Sequence, residues 1–360
     1  MSGRGETAGF STGHGQRAET VAARERLNGV RKKGYGMKTR NLLGAGLFAV
    51  VAAGVPAAHA ACGSAFCAIS TDWDVRGVWA GPGGRAELRY EYIDQDQPRK
   101  GRHEVGVGEV PRHHDEVSTV NRNWFATLDY NFTREWGVSV VVPVVDRSHE
   151  HIHNHHDEDG EEERIPETWN FTKFGDIRVM GRYTFPASPD AAYAAGVSFG
   201  VKLPTGSTDV RNDFGELAER SLQPGTGTTD ALFGGFITGG FPGHSDTWFV
   251  QAEAGVATND HDNYRPGNRY LLNAGWRHPF TTAVAGLLQL NFLNKRQDGG
   301  LQAEPEDTGG SFLFLSPGVS FAATKDIQLY AYLQLPLYQN VHGVQLTADW
   351  AGVLGVATRF

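Results

Sequence analysis

Apolar and polar residues alternate with period two along most of the chain after residue 84, the signature of strands with two different faces. Residues 136–148 set Val138, Val140, Val142 and Val144 on one face. Residues 282–295 set Val284, Gly286, Leu288, Leu290 and Phe292 against Ala285, Gln289 and Asn291. Residues 327–339 set Ile327, Leu329, Ala331, Leu333, Leu335 and Leu337 against Gln328, Tyr330, Tyr332, Gln334 and Tyr338. The pattern predicts about twelve strands, near 85–96, 118–132, 136–148, 174–185, 191–204, 227–241, 247–258, 269–279, 282–295, 311–323, 327–339 and 344–360.

The connections carry as much information as the strands. Those after the even-numbered strands are short, as at Thr133-Arg134-Glu135 and Thr324-Lys325-Asp326. Those after odd-numbered strands are longer and polar, the one at 340–343 excepted. This asymmetry predicts an all-β fold, a transmembrane antiparallel β-barrel over residues 85–360. A soluble β-sandwich or lipocalin-like barrel also alternates. Trp124, Tyr130, Trp136, Trp248, Tyr270, Trp276 and Trp350 fall at the ends of the apolar faces, which suits aromatic girdles at two interfaces. The last strand keeps its alternation to Phe360 and resembles the closing strand of a bacterial outer-membrane barrel, which the assembly machinery reads. An even strand number puts both of its ends on the short-turn, periplasmic side.

An export signal is expected before the barrel. Met37-Lys38-Thr39-Arg40 is basic, 42–55 is apolar, and Ala58-His59-Ala60 fits a small-residue cleavage rule, giving a signal peptide at 37–60. Residues 1–36 are polar and aperiodic, and read as a mis-assigned or disordered extension. Residues 61–84 read as a periplasmic lead-in that plugs or caps the barrel base. Cys62 and Cys67, the only cysteines, are expected to pair as a disulfide in an oxidising compartment.

Composition sharpens the picture. The formal net charge is −8, and residues 1–60 carry more basic than acidic side chains, so the remainder is more acidic still. That argues against nucleic acid as a partner. The expected partners are outer-membrane lipid, the barrel-assembly machinery and a small-molecule solute. The faces opposite the aliphatic ones predict a lumen lined by Glu87, Arg89, Glu91, Asp129, Arg178, Arg182, Lys202, Glu253 and Arg277, either closed by salt bridges or open as a narrow path.

Three segments carry a family resemblance. They are Gly175-Asp176 with Arg182-Tyr183, then Lys202-Leu203-Pro204-Thr205-Gly206, then Pro224-Gly225-Thr226-Gly227 with Asp230. Over 174–241 the chain resembles outer-membrane transporters of the MetA-pathway phenol-degradation family. The resemblance implies a barrel that passes small, often aromatic, molecules.

One segment lies outside that resemblance. His149, His151, His153, His155 and His156 stand among carboxylates after the third strand, and are expected in a long external loop. Imidazole and carboxylate suit Zn²⁺, Cu²⁺ or Ni²⁺, so the segment is either a metal site or a solvated acidic loop that binds metal weakly. No other cofactor is expected. No nucleophile–base pair is evident, and His278 precedes Pro279 at a turn, so the chain reads as a non-enzyme. The function expected is an outer-membrane channel for small solutes. The alternatives are a barrel-anchored metal-binding protein and a structural barrel with a closed lumen.

Overall fold

The computed structural model describes residues 68–71, 81–156, 162–188 and 191–360. The signal at 37–60, the extension at 1–36 and the Cys62–Cys67 pair lie outside the described residues.

The strands are β1 (Gly83–Gln95), β2 (Gln97–Lys100), β3 (His103–Glu104), β4 (His114–Asn131), β5 (Trp136–His156), β6 (Glu162–Phe174), β7 (Arg178–Thr184) and β8 (Tyr193–Lys202). They continue as β9 (Asp230–Gly240), β10 (Thr247–Ala257), β11 (Arg269–Pro279), β12 (Val284–Lys295), β13 (Gly310–Ala322), β14 (Ile327–Val341), β15 (Val344–Thr347) and β16 (Ala351–Arg359). Twelve of them, β1, β4, β5, β7 to β14 and β16, close an antiparallel barrel. Closure leaves none of these twelve as an edge strand, which hydrocarbon demands, while β6 pairs on β5 alone. The remaining short strands β15, β2 and β3 pair separately at the long-loop end.

Three departures from the sequence pattern shape the wall. First, 344–360 is two strands, interrupted at Ala348-Asp349-Trp350. Second, the register of β13 and β14 shifts at Leu313/Phe314, opposite Pro336, which has no amide hydrogen for the ladder. Beyond that bulge Gln339 and Val341, not Tyr338, are buried. Third, β5 is far longer than its sequence range, because the histidine segment continues the strand instead of forming a loop. β5 pairs with β7 over Trp136–Val141 and with β6 over Val144–His156. β6 and β7 are thus one descending run broken at Gly175-Asp176-Ile177.

The outer face is apolar, with Leu128, Phe199, Phe233, Leu290, Leu329 and Leu354 exposed. The expected girdle residues point outward: Trp124, Tyr130, Trp136, Tyr270, Trp276 and Trp350 are exposed, and Trp248 pairs directly with Trp276. Above Trp124 and Val144 the outer face of β4 and β5 turns polar, with Arg122 bonded to Asp146 at 3.3 Å. That change marks the upper edge of the membrane belt, so the upper parts of β4, β5 and β6 stand in water beyond it.

Residues 68–71, within the segment read as a lead-in, lie inside the barrel. Ile69 packs with Leu287, Tyr330, Tyr332, Val353 and Ala357, and Ala68 with Leu293, Phe312, Phe314 and Val341. The lumen supplies the polar partners that this segment's backbone needs. Gln289 Oε1 accepts from the Ser70 amide at 3.1 Å, and Gln289 Nε2 donates to the Ser70 carbonyl at 2.9 Å.

Phe360 closes the lower rim. Its amide donates to the Gly84 carbonyl at 3.0 Å, and its carbonyl accepts from the Gly84 amide at 2.8 Å. Its ring covers Gly84 so closely that a Cβ there would stand 2.2 Å from it. Deleting Phe360 is expected to lower the yield of folded barrel, read as loss of the heat-modifiable band on a gel. An unchanged yield would show the closing pair to be dispensable.

Candidate functional site

Two candidate sites share the barrel: the lumen and the histidine cluster above it. The lumen holds a cavity of about 430 Å³. Its lining runs from Asn131 and Gly137 near the lower rim to Arg147 and Thr226 under the mouth. Of the residues expected there, Arg89, Glu91, Asp129, Arg178, Arg182, Lys202 and Glu253 line this cavity. Glu87 is buried inside the barrel, accepting from Thr71 Oγ1 at 3.0 Å and paired with Arg85. Arg277 stands opposite Thr247 near the lower rim, outside the cavity lining. Arg85 also reaches Asp129 at 2.5 Å, and Arg89 reaches Glu91 at 3.0 Å. The cavity is lined by seven basic and four acidic side chains, so an acidic protein has a basic cavity.

The loop between β8 and β9, residues 203–229, folds into the mouth. Ala218 and Leu222 pack on Trp169, and Arg147 donates to the Leu222 carbonyl at 2.6 Å. The motif residues lock this loop. Asp176, turned inward by the break between β6 and β7, accepts from the Gly206 amide at 3.0 Å and the Thr226 amide at 2.9 Å. Lys202 Nζ lies 2.8 Å from Asp176 and 3.3 Å from Asp230, and donates to the Thr228 carbonyl. The two loop legs touch at Gly206 and Gly225, where a Cβ on either would come within 2.6 Å of the other's backbone. Gly225→Val is expected to spread the legs and expose the loop to protease; wild-type resistance would count against this crossing.

The histidines are on a strand, which corrects the loop expectation. Positions 149, 151, 153 and 155 share one face because their spacing is two. Glu116/Ser118 marks a bulge in β4. The extra residue flips the alternation, so His114 and Glu116 face inward above it while Thr119 and Asn121 face inward below it. Register then sets His114 opposite His153, Glu116 opposite His151, and Thr119 opposite His149.

The outcome is a cluster of rings and carboxylates at the long-loop end of the wall. His149 and His151 are each 2% exposed, as is Glu116. His149 Nδ1 lies 2.8 Å from Thr119 Oγ1, and His149 Nε2 lies 3.4 Å from His151 Nδ1. His151 Nε2 lies 2.8 Å from Glu167 Oε2. Its ring stacks on His114 with centroids 4.5 Å apart. His114 Nδ1 is 3.7 Å from Glu219, which the mouth loop supplies. His153 is half-buried, and His155 is exposed near the hairpin tip. His156 ends β5, and nothing further is described of it.

Burial holds the His149 imidazole well below its ordinary pKa, reinforced by His151 and Arg147. Burial likewise pushes Glu116 well up, with Glu219 adding like charge. Glu167 is pushed up to about 7, by burial and then Glu216. Glu116 and Glu219 escaped the sequence reading because their membership depends on strand register and loop placement. The two-residue spacing of the histidines was the available signal for the rest.

The chain matches the family described as "Putative MetA-pathway of phenol degradation" over residues 114–344. The chain belongs to that family. Its fold is that of outer-membrane barrels. Among solved structures, it is similar to an outer membrane channel from Pseudomonas putida F1, at 12% identity and a TM-score of 0.58, covering 81% of this chain and 100% of that one. The NanC porin has 9% identity and a TM-score of 0.43, covering 76% of this chain and 100% of the porin. The CymD monoaromatic hydrocarbon channel has 7% identity and a TM-score of 0.42, covering 83% of this chain and 94% of the channel. No protein of curated function matches this family member in sequence.

Proposed function

We propose that this protein is an outer-membrane channel for small solutes, and that aromatic acids are among them. The observation that carries the reading is the charged cavity running along the barrel axis, with its excess of arginine and lysine. Charged rings and walls in a narrow pore set which ions pass. A surplus of fixed positive groups favours an anion over a cation of equal size. Phe125, Leu232, Phe236 and Leu271 add apolar surface to the same wall, which suits a solute with both a ring and a carboxylate. Family membership supports the same reading.

Planar-bilayer recording tests it. Small discrete conductance steps are expected, with a reversal potential displaced toward anion selectivity in a salt gradient. Liposome swelling is expected to be faster with benzoate than with a neutral solute of similar size. A barrel that inserts yet gives no conductance and no swelling would be a structural barrel with a closed lumen.

A further inference from the structure

We propose that Glu116, His149 and His151 form a binding site for a divalent transition metal of the zinc class, on the external wall of the barrel. Three features of the geometry point there. The first is spacing. His149 Nε2 is 3.4 Å from His151 Nδ1 and 3.7 Å from Glu116 Oε2. An N–H···N hydrogen bond would normally be near 3.0 Å. Two ligands on a tetrahedral zinc with bonds of 2.0–2.1 Å stand about 3.4 Å apart.

The second is the outer hydrogen bonding. His149 Nδ1 has Thr119 Oγ1 at 2.8 Å, and His151 Nε2 has Glu167 Oε2 at 2.8 Å. With each outer nitrogen donating, the two inner nitrogens turn lone pairs toward one another. A carboxylate or hydroxyl behind a ligating imidazole is the arrangement that fixes its tautomer and aim.

The third is Glu116 itself. It is buried, and neither of its oxygens accepts a hydrogen bond among the described residues. A buried carboxylate facing two imidazole lone pairs is satisfied by a cation at their common focus. The ligands are nitrogen and oxygen only, which suits Zn²⁺ and its neighbours Co²⁺, Ni²⁺ and Cu²⁺ over soft-metal chemistry.

There is also a way in. Two further donor sets of three form a chain with this one: His114–His151–Glu219 shares His151 with it, and His113–His114–His153 shares His114 with that second set. They lead from half-buried His153 down to the buried carboxylate.

Zinc titration of the full barrel in detergent, after chelator treatment, tests the proposal. One saturable site per chain is expected. Glu116→Gln and His149→Ala should each weaken binding at least tenfold, and Glu167→Gln by about 10–100-fold. His155→Ala and His156→Ala should leave it unchanged. Each variant is first checked for the heat-modifiable folded band. Should the substitutions prevent folding, Co²⁺ added to the wild-type barrel provides the readout. Intense tetrahedral d–d bands would support the site, and weak octahedral bands would overturn it. Non-saturable zinc binding, or affinity that follows His155 and His156 instead of Glu116 and His149, would overturn it as well. Either result would leave a dry cluster or adventitious capture by the hairpin tip.

Discussion

Replacing Lys202 with methionine is expected to cost about 3–5 kcal/mol of barrel stability and to free the mouth loop. Lys202 is the only cation bonded to Asp176 and Asp230 among the described ion pairs, at 2.8 and 3.3 Å. All three side chains are largely shielded from solvent. Methionine fills the same space but leaves two carboxylates without the ammonium that bridges them. Asp176 also anchors the Gly206 and Thr226 amides, so its repulsion from Asp230 would act directly on the base of the 203–229 loop. The expected readout is a lower unfolding temperature in detergent together with new proteolytic cleavage within 203–229. Adding Asp176→Asn and Asp230→Asn to Lys202→Met should restore part of the loss, because removing all the charges is far less costly than stranding two of them. If Lys202→Met melted and resisted protease as the wild type does, the lock would not be what holds the loop.

Removing residues 61–71 should raise single-channel conductance severalfold. Ala68 to Thr71 occupy one side of the lumen, bonded to Gln251, Gln289, Glu87 and Arg89, while the cavity lies along the other. A twelve-stranded barrel is narrow, so even four residues inside it take a large share of its cross-section. The smaller change Ile69→Ala keeps the segment but removes its apolar anchor, worth roughly 2–5 kcal/mol in a well-packed core. It should give intermediate conductance with more frequent transitions between levels. Equal conductance in all three proteins would mean that the permeation path avoids this segment. A further consequence concerns selectivity. Thr71 takes hydrogen bonds from Arg89 and gives one to Glu87, so its removal returns both charges to the pore wall.

Much of the barrel was legible because its strands obey one rule. A strand with lipid on one side and lumen on the other must alternate. β11 falls at 269–279 as read, and β12 and β13 within two residues of their sequence ranges. Where both faces are wet, that contrast disappears. The upper half of β5 and the whole of β6 rise above the membrane belt, so their outward residues are Asp146, Ser148 and Glu150 instead of valines. Nothing apolar remained to mark the period. The histidines carried the alternation in their own spacing, and it was masked by the acidic residues between them.

The sequence by itself determined the architecture: alternating faces, short turns against long loops, aromatic rims and a closing strand at Phe360. It also set Arg89, Glu91, Asp129, Arg178, Arg182, Lys202 and Glu253 on the faces opposite the lipid, because inwardness follows from the period once the lipid face is known. Tertiary structure decided which residues meet. One extra residue in β4 turned His114 and Glu116 toward the histidines of β5. A break at Gly175-Asp176-Ile177 turned Asp176 onto Lys202. The placement of 68–71 divided the lumen. Each of these rests on register, bulges and long-range packing, and a single bulge reverses every side chain beyond it. Local patterning is blind to such a shift, which is why the walls could be read from the sequence and the sites could not.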